Sequence, residues 1–250
     1  MNEIENLYAL IGYPLSHTFS PRYFTEKFER EGIPNSTYIA MPIASIEELP
    51  AKLEAHPNLR GMNVTLPYKR QVMPYLDEIE EGAAAIGAVN TIRFRDGKRK
   101  GFNTDVTGFE VSLKELLGNI EYTNLRALVL GSGGASKAVN YVLGKMGIQY
   151  QLVSRNAQKG DLTYQDISPN VLKEHQLIVN TTPLGMSPKV DTAPDLPYDA
   201  LTSEHYLYDL VYNPEETLFL KNGKNQGASI MNGLKMLYLQ AEASWEIWKE

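Results

Sequence analysis

The sequence predicts an α/β protein of two domains, and three observations lead there. Short apolar runs alternate with helix-like segments along the chain, a glycine-rich turn opens the second half, and an amphipathic segment closes it. The alternation asks for a largely parallel sheet covered by helices. The glycine turn marks where a second sheet of the same kind begins.

In the first half, residues 7–11, 37–41 and 61–66 read as strands, each rich in apolar or β-branched side chains. Residues 20–30 read as a helix opened by Ser-Pro, and 45–55 and 77–86 as two more. Residues 87–105, GAVNTIRFRDGKRKGFNTD, read as two strands joined by a turn at Asp96-Gly97. After a helix at 106–117 and a polar linker at 118–124, LRALVL at 125–130 is a strand that stops at GSGGAS, 131–136. A helix to Met146, closed by Gly147, and a strand at 148–153 follow; further strands at 177–180, 206–211 and 228–230 complete a doubly wound, Rossmann-like pattern. Leu234, Leu237, Ala241, Trp245 and Trp248 recur at helical spacing within 232–250. That stripe is expected to pack on the first domain. The expected division is therefore 1–105 plus 232–250, and 106–231, with a cleft between the two.

Composition excludes several classes of function. The chain has 250 residues, 43% of them hydrophobic, enough to bury one large core or two modest ones. No window approaches the roughly 18 uninterrupted apolar residues of a membrane span. MNEIENLYAL lacks the basic start and small-residue cleavage site of a secretory signal, so a cytoplasmic address and no membrane partner are expected. In that compartment the Asn63-Val64-Thr65 glycosylation sequon is accidental. Absence of cysteine excludes disulfides, thiolate catalysis and cysteine-ligated zinc, and the four histidines show no paired ligand spacing. No metal site is expected, although magnesium held by carboxylates alone stays open. A net charge of −6 disfavours nucleic acid, and any anionic ligand must meet a few local cations.

The glycine turn sits where a dinucleotide fingerprint acquires meaning, between a strand and a helix that leads to a second strand. Gly131 makes the tight turn, Gly133 admits a pyrophosphate close to the backbone, and the helix from about Ala135 directs its positive end at the anion. Ser136 stands where a third glycine is usual, and a glycine turn serving only tight packing is the competing reading. An NAD-selecting fold carries an acid roughly 20 residues after the first glycine. Here Ser154, Arg155, Asn156 and Lys159 occupy that place, with no acid before Asp161. Arg155 suits a 2′-phosphate, which favours NADP, and a solvated loop cation is the alternative. A hydroxyl-directed hydride transfer without zinc needs a titratable side chain, and Lys69 and Asp105 are candidates by their positions at segment junctions.

Eight stretches occur in order along nearly the whole chain: GYPLSHTFSP (12–21), GMNVTLPYK (61–69), GAVNT (87–91), GFNTD (101–105), GSGGAS (131–136), NTTPLGM (180–186), YDLVYNP (208–214) and NGLKMLYLQA (232–241). Together they resemble the shikimate dehydrogenase family. The resemblance implies NADP-dependent interconversion of 3-dehydroshikimate and shikimate in the aromatic amino acid route, by a monomer or homodimer acting on a small molecule. It places the catalytic lysine on Lys69 and its aspartate partner on Asp105. It puts substrate hydroxyl contacts on Asn63, Thr65, Asn90 and Gln240, and the substrate carboxylate on Thr18 and Ser20 with Tyr212 nearby. Thr18 departs from the family's usual serine, and its methyl narrows the pocket, which bears on discrimination against quinate. On the cofactor side the resemblance implies Gly131, Ser132, Gly133, Gly134, Ala135 and Ser136 at the pyrophosphate. Ser154, Arg155 and Lys159 fall at the 2′-phosphate, and Thr181, Leu210 and Gly233 near the ribose and nicotinamide. Tyr141 and Lys145 match the Y-x-x-x-K pair of short-chain dehydrogenases, but on the first helix after the glycine loop, where the pair serves packing. A non-catalytic NADP-binding regulatory homologue, and a quinate or dual-specificity quinate/shikimate dehydrogenase using NAD, are the remaining rivals.

Overall fold

The structure, a computed structural model, describes residues 5–15 and 18–250. The chain divides into two compact units, Met1–Thr104 with Ala241–Glu250, and Asp105–Gln240.

The first unit contains β1 (Asn6–Gly12), α1 (Phe19–Arg30), β2 (Ser36–Pro42), α2 (Leu49–Ala55), β3 (Leu59–Val64), β4 (Glu78–Ile79), α3 (Glu81–Ile86), β5 (Thr91–Arg95) and β6 (Lys98–Phe102). They form one sheet in the order β2-β1-β3-β5-β6-β4. β1 pairs in parallel with β2 and β3, and β4 with β6, whereas β3-β5 and β5-β6 are antiparallel. β1 is apolar throughout because both of its faces are covered. Leu7, Ala9 and Ile11 join a cluster with Met62, Val64 and Ile92, while Tyr8 and Leu10 join another with Phe24, Tyr38, Trp245 and Trp248. The β5-β6 turn holds Asp96 at φ 51° and Gly97 at φ 73°, the twist-matched form for a two-residue hairpin.

One predicted helix is shortened. Instead of a helix over 77–86, Asp77 and Glu80 donate their backbone N–H groups to Arg99 and Gly101, so Glu78–Ile79 becomes an edge strand. The Asp77 carboxylate accepts from the Arg99 backbone at 2.7 Å and from its guanidinium at 3.1 Å, which fixes that pairing. Helix α3 starts only after Glu80, whose side chain caps Ala83.

Two longer helices have residues in both units, α4 (Thr104–Leu117) and α8 (Leu234–Lys249). Between them the second unit contains β7 (Arg126–Leu130), α5 (Gly134–Lys145), β8 (Gln149–Val153), α6 (Pro169–Glu174), β9 (Leu177–Asn180), β10 (Tyr206–Asp209), α7 (Leu218–Asn225) and β11 (Ser229–Met231). All its pairings are parallel, in the order β11-β10-β9-β7-β8. Sequence periodicity alone does not announce α6 and α7, which span only 6 and 8 residues. Their starts are set by the side-chain caps Ser168 and Thr217. The start of α8, which the periodicity assigns to the first domain, packs with the second unit because Met236 joins the cluster of Phe109 and Tyr208. Among the described residues no helix is long and apolar enough to cross a membrane.

Candidate active site

In the first unit the predicted substrate-side residues gather at the carboxyl end of β3. Val64 donates its N–H to Asn90 O at 2.8 Å, Thr65 to Ile11 O at 2.9 Å, and Tyr68 to Thr65 O at 2.9 Å. The strand therefore ends at Val64 and turns, leaving Thr65 and Lys69 half-buried on the turn. The carbonyl of Lys69 accepts the Val89 N–H at 2.7 Å, which locks the lysine's backbone to the stretch 87–91. That stretch is locked in turn to the start of α4: Asn90 Oδ1 accepts the Thr104 N–H at 2.8 Å, and Asn103 Nδ2 donates to Ala88 O at 2.9 Å. Because α4 begins at Thr104, Asp105 lies inside its first turn and not at the cap position 106–117 would give it, a favourable place for a carboxylate beside the helix's positive end.

Asn63 lies differently from a ligand-facing side chain. It is buried to 5% exposure, and its carboxamide meets protein groups. Oδ1 accepts from the Tyr38 phenol at 2.8 Å, and Nδ2 donates to Ser244 Oγ at 3.0 Å, with Thr91 Oγ1 at 3.2 Å and Asn90 O at 3.3 Å. Asn63 is thus a strut between β3, β5 and α8. The Ser244 hydroxyl continues the network to Thr91 at 2.8 Å and Thr104 at 3.2 Å. Burial pushes the Tyr38 phenol well up, against the opposing effect of a hydrogen bond from Ser20, so the phenol is neutral and donates to Asn63. Ser20, Asn63 and Asn90 are thereby joined through side chains, a pattern that sequence reasoning missed at Tyr38, Thr91, Thr104 and Ser244. Thr91 and Thr104 do fall inside the quoted stretches, but nothing in the sequence says which polar groups point inward. Thr18 is half-buried at the N-cap position of α1, with its hydroxyl 3.5 Å from Leu15 O.

The second unit places the remaining residues. Asp105 and Gln240 lie on α4 and α8, whose backbones approach at Gly108; a Cβ there would sit 2.6 Å from Met236 O and 3.2 Å from Gln240 N. Gln240 Nε2 donates to Leu237 O at 2.9 Å, and Tyr212 is exposed.

Strand β7 has β8 on one side and β9 on the other, so the crevice outside the carboxyl ends of β7 and β9 is the switch point where α/β sheets take ligands. Gly131 and Thr181 face one another there. Gly131 holds φ +106°, and a Cβ on it would lie 2.9 Å from Thr181 Oγ1. The Thr181 hydroxyl donates to Leu130 O at 2.7 Å. Helix α5 starts after Gly133 with no side-chain cap, and Ser132, Gly133, Gly134 and Ala135 are exposed. A Cβ on Gly133 or Gly134 would meet nothing within 4 Å, which leaves the uncapped N–H groups open to an anion. Ser136 is buried and donates to Gly133 O at 2.7 Å, so it serves by small size and its hydroxyl is engaged within the turn.

At the end of β8, Ser154 is buried, 3.1 Å from Ser132 Oγ, and accepts the Asn156 N–H at 3.2 Å. Asn156 caps the next turn, and Arg155 and Lys159 stand exposed beside it. The first acid downstream, Asp161, accepts the Leu152 N–H at 2.7 Å. Two exposed cations next to an uncapped helix start, without a carboxylate to meet a ribose, fit a dinucleotide carrying a 2′-phosphate. Leu210 and Gly233 are adjacent: the Gly233 N–H reaches Val211 O at 3.1 Å, and a Cβ would fall 2.1 Å from Leu210 O, so glycine is required for the chains to pass.

Comparisons with known proteins agree with this architecture. Residues 10–92 match the model of the shikimate dehydrogenase substrate binding domain. The shikimate dehydrogenase (NADP(+)) of Carboxydothermus hydrogenoformans is 40% identical over 99% of this chain and 93% of its own length. Shikimate 5-dehydrogenase from Thermus thermophilus, solved with NADP(H) and shikimate, superposes with a TM-score of 0.82 at 32% identity, covering 97% of this chain and 92% of that one. Quinate dehydrogenase from Corynebacterium glutamicum, solved with NAD, superposes with a TM-score of 0.87 at 28% identity, covering 97% and 93%. With a relative of such identity spanning nearly its whole length, the chain belongs to the shikimate dehydrogenase family.

Proposed function

We propose that the protein catalyses the reversible NADPH-dependent reduction of 3-dehydroshikimate to shikimate, a step on the route to chorismate, with Lys69 as acid/base and Asp105 as its partner. The observation that carries the reading is the hydrogen-bonded body formed by 61–69, 87–91 and the start of α4, which holds the backbones of Lys69 and Asn90 in common. NADP(H), when bound, supplies or accepts the hydride. Lys69 Nζ holds the proton that the new alkoxide oxygen takes up in reduction, and recovers it in oxidation. Asp105 orients the ammonium and accepts a hydrogen bond from the same hydroxyl. Thr65, Asn90 and Gln240 bind ring hydroxyls, Thr18 and Ser20 bind the carboxylate with Tyr212 beside it, and Asn63 contributes by holding β3 in place.

Replacing Lys69 by Ala should lower kcat by about 10³, the size of a lost general acid, while NADP+ binding measured by titration stays unchanged. Turnover near the native rate would remove Lys69 from the chemistry. A quinate dehydrogenase is the second reading, favoured by the superposition on the Corynebacterium enzyme, and the cations at the end of β8 oppose its NAD. Oxidation of shikimate and of quinate, each with NADP+ and NAD+, separates the two. Arg155→Ala should weaken NADP+ far more than NAD+, and equal losses would refute the 2′-phosphate role.

A further inference from the structure

The carboxyl ends of β9 and β10 carry a buried cluster that none of the chemistry above uses. Asp209, the last residue of β10, has 0% exposure. Its Oδ1 accepts from Asn180 Nδ2 and from the Val211 N–H, both at 3.0 Å, and its Oδ2 accepts the Thr217 hydroxyl at 2.6 Å. Asn180 ends β9, and its Oδ1 accepts the Thr182 N–H at 3.0 Å and the Thr182 hydroxyl at 2.7 Å. The Thr182 hydroxyl oxygen accepts the Leu184 N–H at 3.3 Å, and Val211 O accepts the Gly233 N–H at 3.1 Å. One carboxylate therefore ties down both loops that leave the sheet beside the switch point, 181–186 and 210–217, and through Val211 it reaches the strap at Gly233.

Among the described residues Asp209 has no ion-pair partner, and an unpaired carboxylate in an interior is costly where a neutral strut would serve packing alone. All three partners donate, so they are arranged around the ionised form. The titratable group facing it is Tyr198, on the 3-10 turn Tyr198–Ala200, whose phenol is pushed up by burial first and then by Asp209 itself. Burial pushes the Asp209 carboxyl up to about 6, against the lowering effect of Thr217, Val211 and Asn180. Once protonated, the carboxyl donates from Oδ2 to the Thr217 hydroxyl, which reverses that bond, and the bonds from Asn180 and Val211 lose their charge assistance.

We propose that Asp209 is a positioning residue for the nicotinamide half of the cofactor: its carboxylate holds loops 181–186 and 210–217 in the shape that receives the nicotinamide ribose. This rests on the dinucleotide reading of the second unit. The test measures dissociation constants of NADP+ and of 2′,5′-ADP, which lacks nicotinamide, from pH 5 to pH 8 in the full chain. Both probes carry the 2′-phosphate, but only 2′,5′-ADP carries a terminal 5′-phosphate that titrates in this range, so the ratio in the native protein is read against the same ratio in Asp209→Asn. The advantage of NADP+ over 2′,5′-ADP should be about fivefold larger in the native protein than in Asp209→Asn at pH 8, the worth of one hydrogen bond, and nearly equal in the two at pH 5, with 2′,5′-ADP binding the same in both. A native-to-variant ratio independent of pH, or equal weakening of both probes in the variant, overturns the role. Absence of binding of either probe to the native protein overturns the dinucleotide reading and the role with it. If Asp209→Asn fails to fold, Asp209→Ser takes its place as the reference without a titrating carboxyl.

Discussion

At the residue scale, buried polar groups carry most of the information about what this protein does, and two of them act by opposite logic. Tyr38 is neutral and bridges Ser20 to Asn63. Asp209 is held ionised against its burial, which makes it a stability cost that function must justify. The sign follows from its raised carboxyl, about 6 when folded against an ordinary 3.8. Both folded and unfolded chains are protonated at pH below the ordinary value, so no penalty exists there; the penalty appears as pH rises through that window and is complete above about 6. The distance from 3.8 to about 6 corresponds to about 3 kcal/mol. Urea denaturation at pH 4 and pH 7 should therefore show the stability difference between Asp209→Asn and the native protein moving about 2 kcal/mol in the variant's favour at the higher pH, since part of the penalty is already present at pH 4. A difference independent of pH would mean that the carboxyl titrates normally.

At the scale of elements, α5 is the informative one. Its N-cap is Gly133, whose extended backbone, φ −85° and ψ −171°, suits any capping residue, yet no side chain caps the helix. Among the described residues, Glu80, Ser168 and Thr217 cap α3, α6 and α7, while α1 and α2 also start without a side-chain cap. What suits α5 to an anion is the missing cap together with the open space at Gly133 and Gly134. Gly133→Asp should supply the missing acceptor and stabilise the helix by about 0.5 kcal/mol, while its charge raises the KM for NADP+ by about tenfold or more. Tighter NADP+ binding in that variant would place the pyrophosphate elsewhere. The short β4 teaches a different lesson about elements: the pattern of 77–86 is compatible with a helix, and only the pairing with β6 through Asp77 and Glu80 converts its start to strand.

At the scale of the whole molecule, the end of the chain completes its beginning. Trp245 and Trp248 of α8 lie in one cluster with Tyr8, Phe24, Phe28 and Tyr38, and Trp248 Nε1 donates to Ile92 O at 3.0 Å. Lys27, at 3% exposure, is paired with Glu242 at 2.8 Å, which adds a polar tie between α1 and α8. Trp248→Ala should cost the first unit about 3–5 kcal/mol, and a denaturation signal specific to the second unit should not move. A common shift of both transitions would show that the two units unfold as one.

Much of this was legible in the sequence because local chemistry demanded it. The strand, glycine turn and helix at 125–146, the hairpin turn at Asp96-Gly97, the missing acid near Arg155 and the apolar stripe of 232–250 follow from backbone geometry, charge and periodicity, which act over a few residues. The same local rules placed Lys69 on a turn after a strand and Asp105 near a helix start. Tertiary structure alone decided which polar side chains face inward. Asn63 alternates outward from its apolar neighbours in the sequence, yet the aromatic and hydroxyl groups of β2, β5 and α8 enclose it. Asp209 reads as the end of a strand, and only the loops folded over it from Asn180 and Thr217 make it a buried charge. The physical reason is common to both: a hydrogen bond to a residue tens of positions away leaves no periodic trace, whereas burial and pairing depend on nothing else.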